Sequence, residues 1–169
     1  MYDVGDTVVV NDLMQKAYCY VIEAPVGREF APSFQPYFTP QNMLEMGVFE
    51  GKYCCDCRPE LPQAWFDRAR LAKRPDPSLN YFSVKSRQSL AVWRNKGWIM
   101  EPDPRGWFQW YCRYYLGRRL ADIDRMQIRR WRNFARHAAQ VHRNCMPGDF
   151  SCRPRQRQAL LQWAYDPFI

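Results

Sequence analysis

Between residues 105 and 157 the chain carries thirteen arginines, no lysine and no glutamate, against Asp122, Asp124 and Asp149, a local charge of +10. The planar guanidinium fork donates paired hydrogen bonds to phosphate or carboxylate and stacks on aromatic rings, whereas lysine would serve solubility equally well. The exclusive use of arginine therefore points to an anionic partner. The rest of the chain holds twelve basic and fourteen acidic residues, so the net charge of +8 belongs to the C-terminal half. A solvated basic face is the plainer alternative.

Two arrangements within that stretch could do chemistry. Arg125, Arg129, Arg132, Arg136 and Arg143 fall at i, i+4, i+7, i+11 and i+18, one row along a helix. Cations repeated along one axis track a polyanion, and no acidic residue between Asp124 and Asp149 can pair with them inside the helix. The second arrangement is a helix start at Asp103-Pro104-Arg105-Gly106. Its free backbone N–H groups and dipole, with Arg105, Gln109, Arg113, Arg118 and Arg119, form a candidate phosphate or carboxylate site. Trp107, Trp110, Tyr111, Tyr114 and Tyr115 could stack on bases, although rings at helical spacing are more often core. Of these, Trp107 and Tyr114 are the aromatic candidates, and Tyr114, two turns on from Trp107 beside Arg113, is the one expected to reach a cleft.

The other motifs carry less. Seven cysteines in Cys54-Cys55-x-Cys57, Cys145-x6-Cys152, Cys19 and Cys112 make no C-x2-C knuckle, and His142 with Cys145 would be half a zinc site, so neither a metal nor a cofactor is expected. His137 and His142 are five apart and do not share a helix face. There is no glycine-rich phosphate loop and no nucleophile elbow, and no catalytic residue is identified.

These residues need elements to position them. Of the 169 residues, 47% are hydrophobic and 16% aromatic, enough for a folded domain with its own core, and a single domain over 1–169 is expected. Thr7-Val8-Val9-Val10 and Tyr18-Cys19-Tyr20-Val21-Ile22 read as a hairpin, followed to about residue 38 by a proline-rich loop. From 39 onward the signals are helical. Thr39 and Pro40 open a helix that Gly47 ends, Pro62 opens one through Ala72, Ser83 caps one through Trp93, and Asp103 caps Trp107 to Leu116. Asp122 or Asp124 caps the longest, running to Asn144 with Ile128, Trp131, Ala135 and Ala138 as its apolar stripe, and Pro154 starts the last. The fold class is therefore mainly α, a helical bundle with a small N-terminal β-hairpin, in which the aromatic helix from Trp107 lies centrally.

No run nears the roughly 18 apolar residues of a membrane span, and the first residues lack a secretory pattern, so a cytoplasmic place with reduced thiols and no membrane is expected. The strings Lys96-Gly97-Trp98-Ile99, Asp103 through Arg119, Gln127-Ile128-Arg129-Arg130-Trp131, and Arg155-Gln156-Arg157-Gln158 through Trp163-Ala164-Tyr165-Asp166 resemble a family of uncharacterised microbial proteins, over most of the chain from about Phe38. The resemblance implies no activity. The expected partner is nucleic acid, or another phosphate- or carboxylate-bearing ligand. The alternatives are an enzyme or binding protein for a small anion at the Asp103 to Arg119 helix, and a protein-interaction module.

Overall fold

β-Branched and aromatic residues alternate in the first elements, and the computed structural model, which describes residues 2–53 and 56–169, folds them as an antiparallel hairpin. Strand β1 (Thr7–Val10) pairs with β2 (Tyr18–Val21) in the register Thr7 to Val21 and Val10 to Tyr18. Val8, Val10 and Tyr20 are buried while Val9 and Val21 face water, the two-residue period of a half-buried sheet.

Five α-helices follow among the described residues: α1 (Pro40–Met46), α2 (Leu90–Asn95), α3 (Trp107–Leu116), α4 (Ala121–Asn144) and α5 (Pro154–Gln162). Helix α1 starts as its residues dictate. The Thr39 side chain accepts from the Asn42 amide, the Asn42 side chain accepts from the Thr39 amide, and Pro40 occupies the first turn. The mainly helical fold with an N-terminal hairpin is the one expected from the sequence.

Several local expectations are corrected. After Pro62 only a short 3-10 turn, Gln63–Phe66, forms in place of a helix reaching Ala72. Ser89, not Ser83, caps α2, and Ser83 itself has a positive φ of 52°. Gly106, with φ 90°, precedes α3 where Asp103 was expected as the cap. Leu120 precedes α4, and Asp124 satisfies that helix start from inside by accepting from the Leu120 amide at 2.7 Å. At Asp103 the carboxylate is taken by two buried arginines in place of the local capping role.

Helix α3 is the centre. All of its residues except Tyr115 are buried, and one continuous core joins it to the hairpin, to α1 and to α4 and α5. Phe34, 1% exposed, sends its edge toward Trp110, Tyr111, Tyr114 and Trp131 at centroid distances of 5.0 to 5.6 Å. The proline-rich loop thereby packs into the core as an ordered cover. Gly117 closes α3 with φ 109°, and its carbonyl accepts from the amides of Glu23 and Ala24. A Cβ there would meet the Ala24 carbonyl oxygen at 2.0 Å, so no other residue fits.

Because Phe34 touches four rings from two helices, Phe34→Ala should cost about 3–5 kcal/mol, read as a lowered urea midpoint. A loss under about 1 kcal/mol would show that the loop merely rests on the domain.

Candidate functional site

Four of the thirteen arginines between residues 105 and 157 are buried: Arg105, Arg113, Arg118 and Arg157. Arg113 lies wholly inside, with Nε donating to Glu60 Oε1 at 2.5 Å, Nη2 to Glu60 Oε2 at 2.9 Å and Nη1 to Asp103 Oδ1 at 3.2 Å. Arg118 donates to the other Asp103 oxygen at 2.7 Å and to the Tyr18 hydroxyl at 3.1 Å. The rings of Tyr18 and Tyr20 cover the two guanidinium groups. Burial pulls the Arg113 guanidinium down, but the hydrogen bonds and charge of Glu60, then the charge of Asp103, more than offset it and hold it above its ordinary value. Arg105 pairs with Asp12 at 3.0 Å and Asp56 at 2.7 Å.

The helix start expected to receive an anion is therefore occupied by the fold. Asp103 is 0% exposed and clamps two arginines. The Gln109 side chain accepts from the Arg105 amide, and the Gln109 amide donates to the Tyr53 hydroxyl. Tyr114 does not reach a cleft: it is buried, stacks on Trp110, and its hydroxyl accepts from the Ala31 amide at 2.9 Å. Arg119 lies half-buried over the Tyr114 ring and donates to the carbonyls of Tyr114, Arg118, Arg28 and Glu29. Arg157 ties the C-terminal turn by donating to the carbonyls of Cys152, Asp149, Pro167 and Ile169.

The arginine row on α4 behaves differently. Its apolar side, with Ile128, Trp131 and Val141 buried, seats the helix on α3 and α5, and Trp110 Nε1 donates to Asp124 Oδ1 at 2.8 Å to fix it. Arg125, Arg129, Arg132, Arg136 and Arg143 are all exposed. Arg125 pairs with Asp122 on the surface. Among the described residues the side chains of Arg129, Arg132, Arg136 and Arg143 make no hydrogen bond or ion pair.

Beside this row lies a cleft of about 420 Å³ that sequence reasoning did not foresee. One wall is a run of rings: Trp107 on Trp163 at 4.7 Å, Trp163 on Phe134 at 4.8 Å and only 9° from parallel, and Phe134 on His137 at 4.3 Å. Trp93 and Trp98, from α2 and the turn after it, also line it. Arg87, Arg130 and Arg136 bring charge to it, and no carboxylate lines it among the described residues. Arg87 is paired with Glu50, while Arg130 donates to the Trp98 carbonyl and to Gln127. Burial, and behind it the neighbouring charge of Arg136, hold His137 below the ordinary imidazole value. Trp107 is thus the one aromatic candidate that reaches a cleft.

The cysteines correct another expectation. Cys145 and Cys152 form a disulfide across the turn between α4 and α5, where reduced thiols were expected, and Cys145 is thereby withdrawn from any site with His142. Cys57 and Cys112 are buried and Cys19 is exposed; Cys54 and Cys55 lie outside the described residues. No cluster of three His, Cys, Asp or Glu groups suited to a metal occurs among the described residues, and no helix among them is long and apolar enough to cross a membrane. Comparison with protein-family models, curated proteins and solved structures gives no match, so the functional argument rests on this geometry.

The division between buried and exposed arginines predicts contrasting mutants. Asp103→Asn strands Arg118 and weakens Arg113, and should cost about 3–5 kcal/mol as a broken buried pair does. Arg132→Gln should leave the urea midpoint where it was. Equal effects of the two would show that the burial of Asp103 is not what holds this region.

Proposed function

We propose that this protein binds nucleic acid, with the arginine row of α4 contacting the phosphates. The observation that carries the reading is that Arg129, Arg132 and Arg136 project from one exposed helix face with no carboxylate paired to them among the described residues. A guanidinium at a protein surface needs no phosphate to be stable, but several in a row without acidic partners raise the local potential, which favours a polyanion. From Arg125 to Arg136 the row spans about 16 Å at 1.5 Å per residue. At about 3.4 Å of rise per nucleotide that length matches roughly five nucleotides, more than one small anion would use.

A small-anion site at the start of α3 is the weaker reading. Its arginines already hold carboxylates inside the fold, and an incoming anion would have to displace Asp12, Asp56, Glu60 or Asp103. A nucleic-acid partner suits a cytoplasmic place. A disulfide is unusual there; this one closes a separation of only seven residues just beyond the end of α4.

Anisotropy of a labelled single-stranded oligonucleotide tests the reading. Affinity should fall steeply between about 50 and 200 mM salt as counterions are released. Replacing Arg129, Arg132 and Arg136 together by glutamine should weaken binding at least about tenfold and reduce the slope of log K against log salt by about two, at roughly 0.7 for each phosphate no longer neutralised. The fold should be unaffected. If the triple variant binds as the wild type does, or if the wild type shows no salt-dependent binding, the reading is wrong.

A further inference from the structure

We infer that the cleft beside α4 receives one unpaired base of a nucleic-acid strand whose phosphates lie along the arginine row, an inference that rests on the nucleic-acid reading above. The cleft's volume of about 420 Å³ falls within the range of roughly 300–1,000 Å³ typical of ligand sites. Its lining is suited to a flat guest. Trp163 stacks on Trp107 and on Phe134, His137 is tilted by 32° against Phe134, and Trp98, 41% exposed beside this run, is the ring open to a guest.

Charge decides which flat guest is accepted. Aromatic clefts also take organic cations, held over the ring faces, but such a guest would meet Arg130 and Arg136, with Arg87 already paired to Glu50 and no carboxylate lining the site among the described residues. A neutral ring joined to an anionic backbone meets no such penalty. Arg136 supplies the continuity, because it both lines the cleft and belongs to the exposed row. A strand following the row passes the mouth of the cleft. Gln88 and Asn133 bring side-chain amides that can bond a base edge, and Trp107 Nε1 and His137 Nδ1 are buried there with no hydrogen-bond partner among the described residues.

A base that enters the cleft has left the stack of a helix. The arrangement consequently selects single strands, loops or ends over duplex, a preference the arginine row alone would not give.

The test compares single-stranded oligothymidylate with a duplex of equal length, using tryptophan emission and anisotropy together. Wild type should bind the single strand about 5- to 150-fold more tightly, the range that stacking of one base supplies, and its tryptophan emission should be quenched on binding. Asn133→Phe, which fills the cleft from an exposed position, and Trp98→Ala, which removes its exposed ring, should each abolish the preference. Both should keep the wild-type salt slope, and circular dichroism checks that each is folded. Salt-dependent binding of single strand and duplex alike, without quenching and unchanged in the two variants, overturns the base site and leaves the phosphate row standing. Absence of salt-dependent binding to either probe overturns the row and the base site together.

Discussion

Two guanidinium groups, Arg113 and Arg118, are buried where the hairpin meets α3, and Glu60 and Asp103 are the carboxylates that make this possible. Removing either carboxylate would leave a charge in a region that water cannot reach, at a cost of several kcal/mol. The pairs are also long-range in sequence, since Glu60 lies 53 residues before Arg113 and the Tyr20 hydroxyl donates to the same Glu60. A set of oriented hydrogen bonds thus fixes how the hairpin, the segment around Glu60 and α3 sit together, in a way that the non-directional packing of rings would not. Helices α1 and α4 pack on the α3 that these bonds place, and α5 packs on α4.

The same pairing redistributes charge. Acidic groups from the first 103 residues neutralise Arg105, Arg113 and Arg118, so part of the basic excess along the sequence cancels inside the fold. What is left outside is concentrated on α4, and its opposite side is committed to the core through Ile128, Trp131 and Val141. The aromatic groups divide in the same manner. Those of α3 are almost wholly spent on packing, with Trp107 sharing its stack with the cleft, whereas Trp98, Phe134 and Trp163 stand where a guest can approach.

Helix α4 was legible in the sequence because its arginines and Ile128 and Trp131 obey the 3.6-residue period, although Ala135, expected in the apolar stripe, is exposed and Val141 is buried in addition; the central burial of α3 followed from rings on nearly every face. The separation of buried from exposed arginines was not legible. Arg113 and Arg132 are the same residue type at comparable helical positions, and only the arrival of Glu60 and Asp103 from elsewhere in the chain tells them apart. The cleft was hidden for a similar reason: Trp93 and Trp98 come from one segment, Phe134 and His137 from another and Trp163 from a third, and no spacing rule links them. The disulfide was missed because cysteines seven apart carry no signature until a turn brings them together. Asp103 misled because an aspartate before Pro104 is a good cap, and the need of two buried cations outweighed that local use.

On the proposed reading the arginines are of two kinds, those committed to the fold and those free to hold phosphate. Arginine side-chain Nε–Hε resonances, followed by NMR while an oligonucleotide is added, observe each kind directly. Arg129, Arg132 and Arg136 are expected to shift with the titration, while Arg113 and Arg118 stay in place and exchange slowly with solvent. Shifts confined to Arg113 and Arg118, or fast exchange of those two in the free protein, would contradict that division.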